Sequence, residues 1–199
     1  YQTLANLPQG AKVGTSSLRR RAQILAERPD LEIVSLRGNV NTRLQKLEEE
    51  NFDAIILAVA GLKRLGFHDR ITEVLPREIC LPAVGQGALA IEVRADDAAT
   101  LAIVAFLNDE ATCAAARAER AFLARVEGGC QVPVGVYAEA ADAALEIEAV
   151  IASIDGERIY RKKKAGSALD AEKIGCALAE ELLAVGGEEI LQELGLLQK

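Results

Sequence analysis

Apolar positions recur along the chain with two different periods, and the order in which those periods alternate sets out the fold. Ala11–Thr15 (AKVGT) is a short apolar run, and Leu31–Arg37 (LEIVSLR) alternates with period two and is rich in branched side chains, so both predict strands. Between them, SSLRRRAQILAERPD offers serine N-caps, a helical stretch and a Pro-Asp stop. In GNVNTRLQKLEEEN, Val40, Leu44 and Leu47 fall on one helical face. Asp53–Gly61 (DAIILAVAG) is an unbroken apolar run, the pattern of a strand covered on both faces. Strand, helix, strand, helix, strand in this order implies a parallel sheet with right-handed crossovers, an α/β class of fold.

The rhythm then changes. Leu81–Gly87 (LPAVGQG) is a punctuation mark whose Gly85 and Gly87 permit unusual backbone angles, and it predicts a hinge or crossing. Ala88–Arg94 (ALAIEVR) predicts another strand. DDAATLAIVAFLN and DEATCAAARAERAFLARVEGG predict helices, the second capped by Asp109 and ending at Gly128. QVPVGVYAEA, ALEIEAVIAS and RIYRKKKAG predict strands, the last two joined as a hairpin by the Asp-Gly turn of Ile154–Glu157. DAEKIGCALAEELLAVGG is helical, so the last third predicts a small α+β domain. No internal repeat or low-complexity tract interrupts this order.

Composition narrows the class. Of 199 residues, 50% are hydrophobic and 27% charged, which is globular usage and enough chain for one or two cores. The net charge is −7 and there are only four Phe, three Tyr and no Trp, which argues against a nucleic-acid partner. No apolar run reaches the roughly 18–20 residues that span a bilayer, and no signal-peptide pattern opens the chain, so no membrane partner is expected. Cys80, Cys113, Cys130 and Cys176 are widely spaced with no Cys-x-x-Cys pairing, which argues against a metal site and for a reducing, cytoplasmic setting. The chain opens at Tyr1 and contains no methionine, which leads us to expect a fragment or processed product.

The informative chemistry is a set of arginines. Arg19, Arg20, Arg37, Arg43 and Arg64 each follow a predicted strand or lie in the turn after it. Ligands of open parallel sheets bind at the carboxyl ends of the strands, where helix N-termini already favour anions. Cations there oppose the helix dipole unless an anion bridges them. The guanidinium fork matches a carboxylate or phosphate with two parallel hydrogen bonds, so five forks along one edge suit a ligand with several anionic groups. The competing reading pairs these arginines with nearby acids such as Glu48 or Asp69 on a solvated surface. Thr15 and Ser17 in GTSS could add hydrogen bonds to an anion, although serine at a helix start is also ordinary capping. His68 in GFHDR reads as a surface or loop residue, and no Ser-His-Asp set or group of metal ligands stands out.

Cys130 stands in RVEGGCQVPVG, after two glycines. A reactive thiol needs exposure and electropositive neighbours, and a helix C-terminus before it supplies neither, so activation would come from the arginine edge; a small buried cysteine in a loop remains the plain alternative.

Five blocks, VGTSSLRRRAQ, SLRGNVNTRL, DAIILAVAGLKRLG, LPAVGQGALAIE and ERAFLARVEGGCQVPVG, closely resemble porphobilinogen deaminase, also called hydroxymethylbilane synthase, in order from Gly14 to Gly135 and more loosely to the end. The resemblance implies a transferase of haem and tetrapyrrole biosynthesis that joins porphobilinogen units into a linear tetrapyrrole with loss of ammonia. It implies a dipyrromethane cofactor held through a thioether on Cys130, with cofactor carboxylates on Arg19, Arg20, Thr15 and Ser17, and pyrrole substrate carboxylates on Arg37, Arg43 and Arg64. It further implies a monomer of three domains, two of them like the lobes of type II periplasmic binding proteins. On that pattern residues 1–84 are the second, α/β domain, 85–108 the hinge and return segment of the first domain, and 109–199 the C-terminal α+β domain. The family's essential aspartate lies in a Lys-Asp-Val-Pro motif that these 199 residues do not contain. This leads us to expect no catalytic residue within them, little turnover by this chain alone and a strand at 88–94 without its sheet neighbours. The readings set against this one are a non-catalytic anion-binding module with a periplasmic-binding-protein lobe, and a partner chain that completes a second polypeptide.

Overall fold

The computed structural model describes residues 1–126 and 132–195. Its first half is built on a three-stranded parallel sheet of order β2-β1-β3, formed by β1 (Lys12–Gly14), β2 (Glu32–Val34) and β3 (Ala54–Ile55). Val13 pairs with Ile33 on one side and Ala54 on the other. Helices α1 (Leu18–Glu27) and α2 (Val40–Glu49) make the connections. Both start where a side chain satisfies free helical N–H groups: Ser17 accepts from Arg20 N (3.4 Å) and Asn39 from Thr42 N (2.8 Å). Leu4, Leu7, Ala11, Val13, Ile24 and Leu31 form a small core under this sheet.

Two sequence expectations are corrected here. The apolar run Asp53–Gly61 is a strand only at Ala54–Ile55; its second half turns into helix α3 (Val59–Arg64). Its strand residues Ala54 and Ile55 are only partly buried, bordering open clefts instead of being covered on both faces. Ala88–Arg94 has no ladder partner among the described residues, and a strand exists only as a member of a sheet. Leu89 is 80% and Ile91 55% exposed, so the alternation that predicts a strand is present without anything to pair with. Helix α4 (Ala98–Val104) and a following turn of 3-10 helix continue the exposure, with Phe106 at 81%.

The second half is an antiparallel sheet of order β4-β5-β6, from β4 (Val134–Ala141), β5 (Ala144–Ala152) and β6 (Ile159–Ser167). The Asp-Gly turn joins β5 to β6 as expected, Ala152 facing Ile159. Helix α5 (Glu110–Arg125), capped by Asp109 on Thr112 N (2.7 Å), and α6 (Ala171–Leu182) cover one face. The described part of α5 ends at Arg125; the expected end at Gly128 lies outside the described residues. After α6 the chain turns through Leu183–Gly187, where Gly186 has φ 123°, into α7 (Glu188–Glu193); the helical segment expected over 170–187 is helical up to its glycine pair, and α7 lies beyond it. Phe122, Val136, Ile147, Ile151, Leu178, Leu182 and Leu191 are buried in the larger core. No single helix among the described residues is long and apolar enough to cross a membrane.

Side chains from both halves lock them together. At Gly156 in the β5–β6 turn (φ 78°), a Cβ would lie 2.5 Å from Ala26 N and 2.6 Å from Ala22 O of α1. Arg161 of β6 donates to the carbonyls of Arg77 (2.6 Å) and Glu78 while holding Glu148 (2.7 Å).

Candidate functional site

The candidate site forms where α1 begins. Leu18, Arg19 and Arg20 occupy its first turn, directly after the carboxyl end of β1. A cleft of about 270 Å³ opens there, lined by Arg19, Arg20, Ile55, Ile56, Leu57, Val59, Cys80 and Gln86, with Glu73 at its side.

Arg19 is only 6% exposed. It donates to the Leu81 carbonyl, to Cys80 Sγ (3.7 Å) and to Gln86 Oε1 (3.3 Å). Gln23, one helical turn on, seals the same segment by exchanging two hydrogen bonds with the backbone of Leu81 (2.8 and 3.2 Å). Arg20 donates to the Ile56 carbonyl (2.8 Å). Burial pushes the Arg20 guanidinium down to about 10, and the like charges of Arg19 and Arg43 add to the effect. Burial likewise lowers Arg19, with Cys80 opposing, and raises the Cys80 thiol against the pull of Arg19, Arg20 and Arg161. Two desolvated cations side by side are electrostatically unfavourable until an anion joins them.

Among the described residues, none of Arg19, Arg20, Arg37, Arg43 or Arg64 forms an ion pair with a carboxylate; Glu48 pairs with Arg70 instead (2.7 Å). The surface-pair reading is therefore not what the side chains do. Arg43 folds back so that Nε donates to the Gly38 carbonyl (2.8 Å), close enough to Arg20 to affect it. Arg37 is exposed in the loop after β2. Arg64 does not directly follow a strand, as the sequence led us to expect: it ends α3, where a cation suits the helix dipole, and is exposed. Thr15 is buried, its Oγ1 accepting from Ser17 N (3.2 Å), and Ser17 caps α1. Both hydroxyls thus shape the turn that presents Arg19 and Arg20. His68 is exposed in a short 3-10 turn. Cys130 lies outside the described residues. No group of three or more metal-ligating side chains occurs among those described.

Three participants escaped the sequence reading. Cys80 and Gln86 line the cleft, and Gln86 stands between two glycines of positive φ (64° and 97°), a turn that projects its side chain. The third is Glu119, which accepts from Gly85 N (2.7 Å) and Ala138 N (2.8 Å). Its signal was spacing: Ala115, Glu119 and Phe122 share one face of α5, continued by Val126 just past its end, a single acid on an apolar stripe.

The donor set suits a ligand bearing carboxylates. Residues 1–102 match the family model described as "Porphobilinogen deaminase, dipyromethane cofactor binding domain", and residues 113–184 the one described as "Porphobilinogen deaminase, C-terminal domain". The chain is 56% identical over 192 residues to the porphobilinogen deaminase of Geobacter sulfurreducens, covering 96% of this chain and 60% of that protein. It is 54% identical over 188 residues to that of Carboxydothermus hydrogenoformans (94% and 60%) and 53% over 192 residues to that of Trichlorobacter lovleyi (96% and 62%). The chain thus spans about 60% of the length of these curated relatives.

Proposed function

The chain belongs to the porphobilinogen deaminase family, and from that premise we propose that it supplies the anion-holding cleft and the cofactor attachment point of a transferase that condenses porphobilinogen into hydroxymethylbilane. Each condensation joins two pyrrole rings through a new carbon–carbon bond and releases one ammonia. The observation that carries this reading is the Arg19–Arg20 pair, desolvated, mutually repelling and without a carboxylate partner among the described residues. A pyrrole with acetate and propionate arms supplies the missing negative charge.

In this reading a dipyrromethane bound through a thioether to Cys130 primes the chain of pyrroles. Arg19 and Arg20 hold its carboxylates, with Thr15 and Ser17 fixing the turn beside them, while Arg43, Arg37 and Arg64 meet incoming and elongating pyrroles. Residues 1–84 form a lobe like those of type II periplasmic binding proteins, 85–108 a hinge and return segment, and 109–199 the domain bearing Cys130. A cytoplasmic setting fits the widely spaced cysteines, of which Cys80, Cys113 and Cys176 are free among the described residues, and the chain is taken to act as a monomer.

Intact mass and peptide mapping test the reading. We expect a two-pyrrole adduct on the Cys130 peptide and porphobilinogen binding that Arg20→Gln weakens. An unmodified Cys130 together with no porphobilinogen binding would leave a simple anion-binding module as the better account. Because these 199 residues contain no Lys-Asp-Val-Pro motif, the polypeptide alone is expected to form almost no bilane; near-normal turnover in a bilane assay would sink that expectation.

A further inference from the structure

In the turn Gly85–Gln86–Gly87, Gln86 and Gly87 are the common wall of two clefts. One is the arginine cleft. The other, about 300 Å³, lies against α5 and β4 and includes Glu119 and Tyr137. Glu119 is 7% exposed, and its two oxygens accept backbone N–H groups from two different segments: Oε2 from Gly85 (2.7 Å) and Oε1 from Ala138 (2.8 Å). On the opposite side, the next residue, Gln86, holds Arg19 Nη2 (3.3 Å). Two hydrogen bonds, joined by the covalent backbone of Gly85–Gln86, therefore link α5 to the guanidinium in the cleft. A buried carboxylate is placed in such a position at a desolvation penalty that only its bonds offset.

We propose that Glu119 is a positioning residue of the arginine cleft: by holding Gly85 against β4 it fixes Gln86, and through Gln86 the Arg19 guanidinium, without touching the bound anion. The effect on binding rests on the reading of that cleft as the pyrrole site; the effect on the wall does not. In Glu119→Gln the amide keeps one acceptor but turns an NH₂ donor toward one of the two N–H groups, so one of the bonds is lost.

Two readouts on the 199-residue polypeptide separate these arms. The first is the rate at which iodoacetamide alkylates Cys80, which lines the cleft beside Arg19, followed peptide by peptide in the mass spectrometer. The second is porphobilinogen affinity by calorimetry. Glu119→Gln is expected to speed Cys80 alkylation and weaken porphobilinogen binding, each by about tenfold, within the usual span of coupling between separate sites. Alkylation of Cys176 should not change. Gln86→Ala, on an exposed turn position, should do the same, and combining the two should add little because they act in series. Leu182→Ala, which opens the C-terminal core while sparing Glu119, should leave the Cys80 rate alone. Wild-type Cys80 reactivity in both Glu119→Gln and Gln86→Ala would overturn the proposal. Additive effects, or an equal acceleration by Leu182→Ala, would also overturn it. If Cys80 responds as expected but the wild type binds no porphobilinogen, the positioning role stands and the cleft's reading as a pyrrole site falls.

Discussion

Among the described residues the Arg20 guanidinium makes one hydrogen bond, to the Ile56 carbonyl, and has two cationic neighbours that disfavour its charge. Removing that charge should therefore hurt ligand binding far more than folding. Arg20→Gln is expected to weaken porphobilinogen binding by about tenfold or more, the scale of one charge-assisted pair, with little change in the urea midpoint. Gly156 behaves oppositely. It touches no ligand, yet an added Cβ would meet the backbone of α1 and would be forced to a positive φ. Gly156→Ala is expected to cost roughly 2–4 kcal/mol, combining left-handed strain with overpacking, measured by urea unfolding. At this scale the sequence was informative where chemistry was local. The Arg19–Arg20 pair is adjacent in the chain and sits in one helical turn, so its place at the start of α1 could be read directly. Arg64 could not, because its place at the end of α3 depends on where an apolar run stops being a strand.

Helix starts were the most legible elements. Ser17 and Asp109 cap where the sequence placed them, because a capping side chain and its target N–H lie within three residues of each other. Asn39 is a further cap, and its Oδ1 accepts from both the N–H and the hydroxyl of Thr42. Asn39→Ala is expected to cost about 1 kcal/mol by thermal unfolding. Strand extents were less legible: Asp53–Gly61 has no polar position to show its period, and a continuous apolar run fits strand and helix alike. Another element is held by one arginine that the hydrophobic pattern does not mark. Arg28, at the end of α1, donates to the carbonyls of Leu4 (2.9 Å) and Leu7 (3.0 Å) and pairs with Asp30 (2.7 Å), tying down the first residues of the chain. Hydrogen bonding to Arg28 brings the Asp30 carboxyl down to about 2. A carboxyl lowered on folding contributes stability above its unfolded value of about 3.9, and that contribution fades as pH falls toward the folded value. Between about pH 4 and 2 the wild type should lose more stability than Asp30→Asn. Amide protection in residues 4–7, taken relative to the free-peptide exchange rate at each pH, should fall over the same window.

The molecule as a whole joins two cores through a thin but well-fitted seam, where Gly156 meets α1 and Arg161 grips the Arg77–Glu78 carbonyls. No local pattern announces that seam, since its partners lie 84 residues apart in the case of Arg77 and Arg161. Beyond it, Leu89, Ile91, Ile103, Phe106 and Leu107 form a run of exposed large apolar side chains in a chain of otherwise ordinary polarity. The polypeptide should accordingly bind the dye ANS in its native state, and Leu89→Ser with Phe106→Ser should remove most of that fluorescence. The segment from Leu81 to Gly85 is fastened on both flanks: Gln23 and Arg19 hold Leu81, the Pro82 carbonyl accepts from Val136 N (3.0 Å), and Glu119 holds Gly85. A protease must pull several residues of backbone out into its groove before it can cut. The glycine pair, which looks like the weakest point of the chain, is thus shielded, and the first nick should fall past it, at Arg94. The two pieces so produced would still travel together on a sizing column, because the seam that unites them lies on the far side of the cut.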